Sequence, residues 1–491
     1  MGALRLPTSH AVEGEVTRPR INPAPNPVPH MKTHPLLLAT FLSAALTSQH
    51  VRSAENTNWP QWRGPQFDGT APGATPPVVF NETTNLKWKI KLPGNGASTP
   101  IVWGNLVFIQ TAIPTGKKTE ESKAGDQPAE APLPDRPGEG RGRRPGGGGG
   151  GMRGIKPTEI FQFAILCIDR TSGATIWQKS LREELPHEGH HRDHGFSSHS
   201  PVTDGQHVYA WFGSRGLHCL DMEGNVKWSK DLGKMQTRNA FGEGTSPALS
   251  GDILVINWDH EGDDFIAAFN KFDGREIWRQ PRSEATTWTT PLIVEHEGKK
   301  QVIVSAADRI RSYALETGKE IWSCGGMTAN VIPTPIVKDG ILYAISGFRG
   351  ASLLAIKLGG TGDLTGTEAV VWQHDKRTPY VPSPLLADGR LYFHSGNEAF
   401  LSIFDAREGK ALLEAERIPG MSGIYASPVA ANGHVYFTGR DGTVVVAKSG
   451  DKLEVLATNK LDEAFEASPA IAGTELFLRG HSALYCFSEK K

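Results

Sequence analysis

The chain has 491 residues, enough to bury one large core or several small ones. Its 52 basic and 53 acidic side chains leave a net charge of −1, which excludes a global field that would recruit nucleic acid or anionic lipid. Glycine (55) and proline (34) are too frequent for a helical enzyme and suit many short strands joined by tight turns.

Residues 1–30 are polar and Pro-rich and carry no usable periodicity. They read as a non-native upstream extension, because the next segment has the build of a secretory leader and leaders sit at an N-terminus. In 31–54, Lys32 supplies a positive region, Pro35 to Leu46 an apolar run, and Val51–Arg52–Ser53–Ala54 a cleavage site. The apolar run falls short of the roughly 20 residues that span a bilayer. The first cysteine after it is Cys167, so no lipid anchor is expected on a new N-terminus. The mature chain is expected to be periplasmic, cell-surface or secreted, with no transmembrane span.

From residue 55 onward a Ser/Thr–Pro pair opens one strand-like segment after another. The pairs are Thr99–Pro100, Ser200–Pro201, Ser246–Pro247, Thr290–Pro291, Thr334–Pro335, Ser383–Pro384, Ser427–Pro428 and Ser468–Pro469. From the second pair on, the prolines lie 46, 44, 44, 49, 44 and 41 residues apart. Each copy continues with a short apolar strand and a turn such as Asp339–Gly340 or Asn432–Gly433, which supplies the positive φ of a tight hairpin. An alternating second strand follows ("HVYAWFG", "ILYAISG", "RLYFHSG"), then a third ("LHCLD", "SYALE", "LSIFD") and a fourth ("SGATIW", "DGREIW", "TGKEIW"). Four antiparallel strands per period of about 44 residues describe a propeller blade.

The last copy stops at "ALYCFSEKK" without a fourth strand. "NLKWKIKL" supplies it from the start of the mature chain, where Trp88 matches Trp177, Trp228, Trp278, Trp322 and Trp372. Leu413 and Leu456 hold that place in the two other copies. The prediction is an all-β, eight-bladed propeller over 55–491, closed by its N-terminal strand so that no sheet edge stays open. One such ring per chain is expected to act as a monomer. The tryptophans, one per blade beside the next blade, are expected to pack and not to stack on a cofactor.

The repeated "TGKEIW"-type ending resembles the pyrroloquinoline quinone (PQQ) repeat shared by quinoprotein alcohol dehydrogenases and the BamB-like exported propellers. The opening "NWPQWRGP" resembles the start of exported bacterial propellers of this PQQ-binding-like kind. The resemblance covers residues 59–491 and implies the fold strongly. It implies function weakly, since the repeat marks blade packing and not chemistry. Quinoprotein dehydrogenases of this fold use an adjacent Cys–Cys disulfide, an acid and an amide holding Ca²⁺, and an Asp base. This chain has no Cys–Cys pair. Cys167, Cys219 and Cys486 share a small third-strand slot with Ala268, Ala314 and Ala355, and Cys324 reads as a lone loop residue. Disulfides are not expected from these positions.

Residues 114–158, dominated by Pro, Gly and charge, interrupt the first blade between its second and third strands and are expected to be disordered. The stretch "HEGHHRDHGFSSHSP" joins the first blade to the second. Strand alternation puts it, with the second-to-third turns, on the face at the mouth of the central channel. His187, His190, His191 and His194 are candidate metal ligands with i,i+4 spacing, although Gly189 and Gly195 favour a loop, and no standard zinc spacing is present. His190, His191, His194 and His199 are also candidate ligand-binding residues. Replacing the first three is expected to leave stability nearly unchanged. On the same face the pattern places Arg215, Asn257, Asp259, His260, Arg309, Arg349, His394, Asn397, Arg440 and Arg479. Five of these are arginines on second-to-third turns. A guanidinium ring would suit an anionic ligand or a carboxylate-bearing peptide, and solvated hairpin tips are the alternative.

Two functions remain open. One is a non-catalytic, BamB-like exported scaffold that binds a protein, peptide or polysaccharide at the channel mouth, with no resident cofactor. The other is a PQQ- and Ca²⁺-dependent oxidoreductase acting on an alcohol or sugar.

Overall fold

The computed structural model describes residues 57–119 and 153–489. The expected extension (1–30), leader (31–54) and central part of the first-blade insertion lie outside the described residues. The insertion's two ends are ordered: Thr115 N–H donates to Ile160 O at 3.0 Å, and Ile155 exchanges backbone bonds with His190.

Among the described residues the strands form eight antiparallel sheets of four, one of which gains a short parallel fifth strand. The first blade runs Ile101–Trp103, Leu106–Pro114, Phe161–Asp169 and Thr175–Glu184. The eighth contributes Ala470–Ala472, Glu475–Arg479 and Ala483–Ser488, and Leu86–Lys91 completes it, with Trp88 opposite Cys486 and Lys89 opposite Tyr485. The ring is therefore an eight-bladed propeller closed by its N-terminal strand.

Packing between blades explains the "G…W" signature. The indole N–H of each of five tryptophans donates to a carbonyl in the third-to-fourth turn of the next blade: Trp88 to Arg170, Trp177 to Met222, Trp228 to Lys271, Trp278 to Leu315 and Trp372 to Ala406. Each indole lies flat on that turn's glycine. A Cβ on Gly318 would fall 2.5 Å from the Trp278 ring, at a backbone φ of +70° that disfavours any side chain. Trp322 differs, since the next blade has a longer third-to-fourth connection. There Gly362–Asp363 pairs alongside Trp322, which donates to Gln301 Oε1. The same blade corrects one expectation. Ser312, not Ala314, fills the slot opposite the tryptophan, and it donates to Gln301.

This clasp can be tested. Gly318→Ala is expected to cost about 2 kcal/mol, from the positive φ and the displaced indole together. Gly251→Ala, at φ +58° with open space around it, should lose only about 1 kcal/mol. Urea denaturation of the two variants checks the difference; equal losses would refute the clasp.

All four cysteines are free and buried, and Cys324 ends a strand (Glu320–Cys324) rather than sitting in a loop. Burial pushes the Cys167 and Cys219 thiols up to about 12, so neither is a nucleophile at neutral pH.

The start of the described chain has its own task. Trp59 pairs with Val102 of the first blade, Pro60 O accepts from Thr203 of the second, and Gly69 and Ala71 bond to Ala430 of the seventh. Phe67 packs among Leu292, Ile303 and Leu342 of the fourth and fifth blades. These contacts sit at the far ends of the innermost strands. "NWPQWRGPQFDG" therefore crosses the end of the channel opposite the His-rich loop and closes it.

Candidate functional site: the channel mouth

The Ser/Thr–Pro pairs lie around the channel. Proline opens the innermost strand, where one backbone edge has no ladder partner and the missing N–H costs nothing. The preceding Ser or Thr N–H donates to the hydroxyl of the next blade's Ser or Thr. Seven such bonds, of 2.9 to 3.1 Å, run from Thr99 through Ser200, Ser246, Thr290, Thr334, Ser383 and Ser427 to Ser468. All eight side chains line one cavity of about 810 Å³. Trp62 lines it too, from the segment that closes the far end.

Above the hydroxyl belt the wall is aromatic: Phe241, Trp288, Phe348, Tyr380 and Tyr425, with His191 and His194 among them. Phe348 and Tyr380 stack at 4.7 Å and 25°. Trp288 is fixed by its indole N–H on Gly242 O, and His191 stands edge-on to Phe241. Arg192, Arg238, Arg349, Asp193 and Glu466 supply the charge. Both carboxylates are occupied, Asp193 at 3.1 Å and Glu466 at 2.8 Å from Arg440, which also lies over the Tyr425 ring.

The His-rich loop divides. His191 and His194 reach the cavity, while His187 Nε2–H donates to Met235 O and His190 Nδ1–H to His191 O, with the His190 ring edge-on to Phe196. His194 Nδ1 takes the backbone N–H of Gly195 at 2.8 Å, which leaves its proton on Nε2. Burial pulls its pKa down to about 4. His199 lies outside the cavity lining, against Trp211, with neither ring nitrogen hydrogen-bonded and its pKa drawn by burial to about 3. Among the described residues no three His, Cys, Asp or Glu side chains gather as a metal ligand set. The His190 and His194 rings are packed and hydrogen-bonded, so their replacement should cost some stability, contrary to the expectation of nearly none.

The expected guanidinium ring does not assemble. Arg215 is buried in ion pairs with Glu243 (2.9 Å) and Glu184 (3.4 Å). Arg309 turns outward to Asp363 and Thr365. Arg440 is held by its two acids. Arg479 is buried across the ring closure, donating to Ser98 O and Gln110 O of the first blade. Only Arg349 of the five lines the cavity. Asn257 and Asp259 lie beneath the third blade's loops, where Asp259 pairs with fully buried Arg282 at 2.6 Å and Asn257 donates to Asp259. His260 Nδ1 accepts from Gln236 and Gly262. His394 is fully buried against Phe437, and Asn397 accepts from Val381 N–H. Most of these side chains are taken up by groups outside their own turns, such as Arg282, Gln236, Val381 and Ser98.

A family model described as outer membrane protein assembly factor BamB, built on the PQQ-type repeat, matches residues 163–412. The chain belongs to this family. Among solved structures, BamB from Moraxella catarrhalis is 14% identical, covering 68% of this chain and 92% of that one, with a TM-score of 0.48. Quinohemoprotein alcohol dehydrogenase from Comamonas testosteroni is 10% identical over 90% of this chain and 82% of that one, at 0.57. A europium-containing methanol dehydrogenase is 10% identical over 88% and 98%, at 0.56. The two dehydrogenases share the fold. No curated protein matches the sequence.

In this BamB-family propeller the cavity aromatics went unnoticed in the sequence, although they carry a signal. Phe241, Trp288, Tyr380 and Tyr425 each stand two to five residues before a Ser/Thr–Pro pair. These four come from the ends of fourth-to-first loops, which lie over the channel; Phe348 comes from a second-to-third turn, and Phe196 and Phe465, at the same offset, pack into the core and do not line the cavity. Arg238 belongs to the same loop as Phe241 and was missed for the same reason.

Proposed function

We propose that the protein is an exported, non-catalytic, BamB-like binding scaffold that engages a protein, peptide or polysaccharide through its channel-mouth face. The observation that carries this reading is the cavity: one open end, one closed end, aromatic and arginine walls, and both lining carboxylates engaged by Arg440. Aromatic and arginine side chains are those that anchor bound partners. BamB-family membership supports an envelope location. Among the described residues no helix is long and apolar enough to cross a membrane.

The residues do not fit PQQ with Ca²⁺. Calcium needs several free oxygen ligands, and the cavity's two carboxylates are already neutralised by a guanidinium. The four cysteines are on separate buried strands, so no adjacent disulfide can cover a quinone. Incubation with PQQ and Ca²⁺ is expected to give no stoichiometric quinone absorbance and no dye-linked alcohol oxidation. One quinone per chain with dye reduction would overturn the scaffold reading in favour of an oxidoreductase.

A further inference from the structure

Three features of the cavity go beyond a generic binding face. The first is its charge. Asp193 and Glu466 are spent on Arg440, and His481 adds to Glu466 at 3.3 Å. Arg238 and Arg349 have no carboxylate partner among the described residues, and Arg192 lies only loosely near Asp193, at 3.9 Å. The free charge at the mouth is positive.

The second feature is a surplus of hydrogen-bonding capacity around apolar faces. Each belt hydroxyl from Ser200 to Ser468 accepts one backbone N–H and has its own proton left to donate. His194 presents Nε2–H. Trp62 Nε1 and Asn330 Oδ1 are buried in the lining with no partner, and Asn330 is only 4% exposed. Buried polar atoms left in this state are uncommon and ask for a partner. The flat faces of Trp288 and the Phe348–Tyr380 stack stand above them.

The third feature is backbone strain. Asn239, Ala240, Asn330 and Arg349 have φ between +53° and +56° at or beside the mouth. A non-glycine residue in that region costs free energy and persists where the surroundings demand it. Arg349 is held this way next to Phe348, its guanidinium 5.4 Å from that ring.

We propose that the cavity is a binding site for an acidic saccharide, a uronate-bearing oligosaccharide whose carboxylates meet Arg238 and Arg349. Its sugar rings lie against Trp288 and the Phe348–Tyr380 stack, and its hydroxyls reach Asn330, His194 and the Ser/Thr belt. A planar aromatic acid would satisfy the arginines and the aromatic faces but has no hydroxyls for the belt. A neutral sugar would leave the arginines unpaired. A polyhydroxylated anion answers the charge and the hydrogen-bonding surplus together. The cavity, at about 810 Å³, has room for a short oligomer. The proposal rests on the scaffold reading in one respect, that the channel mouth is the working face.

The test is titration of the full-length protein with trigalacturonate, followed by calorimetry and by intrinsic tryptophan fluorescence. Galactotriose serves as the neutral probe and 2-naphthoate as the planar acid. Trigalacturonate is expected to bind at least about tenfold more tightly than either, and the more weakly as salt rises. Arg238→Ala and Arg349→Ala should each lower the affinity about tenfold, and the pair should abolish it. Arg238→Lys and Arg349→Lys keep the charge and should restore part of it, which separates lost recognition from lost folding; near-UV circular dichroism of each variant gives the fold directly. Equal binding of the neutral trisaccharide, preference for naphthoate, absence of trigalacturonate binding, or binding indifferent to both arginines would overturn the proposal. Such failure with no PQQ-dependent dye reduction removes the saccharide alone, whereas dye reduction removes the scaffold reading itself.

Discussion

Replacing Arg63 with alanine is expected to destabilise the propeller by about 3 to 5 kcal/mol, measured by guanidinium denaturation at pH 7. Its side chain is fully buried where the N-terminal segment closes the channel. The guanidinium donates to Pro428 O at 3.0 Å, Pro384 O at 2.8 Å and Asp68 O at 3.1 Å. Two of those acceptors belong to the Ser/Thr–Pro pairs of the seventh and sixth blades, so one side chain ties the closing segment to the inner belt. Burial lowers the Arg63 pKa to about 10, only partly offset by Asp68, and the group stays charged at neutral pH. Truncation would strand three buried carbonyls and leave a large void, and both effects act in the same direction. Arg63→Lys should recover only part of the loss, because one ammonium cannot serve three carbonyls with the reach of a planar fork. A loss below about 1 kcal/mol for the alanine variant would show that the segment is held by its backbone bonds alone.

The architecture was legible because it is periodic. Eight Ser/Thr–Pro pairs and six tryptophans each report the same local demand, and the missing eighth fourth strand could be found by pairing Trp88 with the last copy. Register was legible to the same extent: it fails at Ser312, where the fourth blade shifts by two residues relative to the "SYALE" alignment, and at the seventh blade, where Ala457 and not Leu456 holds the tryptophan's place opposite Val446. The site was less legible, since loops are where the repeat lapses. A polar residue on a second-to-third turn looks the same in sequence whether it faces the channel, as Arg349 does, or is buried against a neighbouring blade, as Arg215 is on Glu184 and Arg479 on Ser98 and Gln110. The direction depends on the few residues around it, and periodicity carries no information about them. In sequence the Ser/Thr–Pro pairs mark only strand starts. Their hydroxyls form the belt of the cavity because the innermost strand has no further neighbour to satisfy its edge. The "NWPQWRGP" opening carries a resemblance in sequence, yet its placement across the channel follows from Arg63 and Phe67, whose partners lie hundreds of residues away.

The propeller is expected to lose on the order of 4 kcal/mol between pH 7 and pH 5, read from denaturation curves at each pH. His199 and His394 are fully buried and His194 is partly buried at the cavity, and desolvation pulls the pKa values of His194, His199 and His394 to about 4, 3 and 3. In the unfolded chain they titrate near 6.5. Neutral imidazole is thus the folded form, and its contribution is complete above pH 6.5. As pH falls from there toward 3 to 4, the unfolded state takes up protons that the folded state refuses, and stability falls. At pH 5 each histidine accounts for up to about 2 kcal/mol. Glu188 acts in the opposite sense. Burial raises its carboxyl to about 7 despite the hydrogen bonds from Thr237, so the folded state binds a proton between pH 7 and 4.5 and recovers part of the loss. The decisive variant is His394→Leu. Neither His394 nitrogen has a partner and the ring packs on Phe437, so an apolar side chain of similar volume should fit without loss at pH 8. It should also flatten the acid limb by about one proton. If the variant kept the full pH dependence of the parent protein, His394 would not be a neutral buried group, and the assignment of the acid sensitivity to these histidines would fall with it.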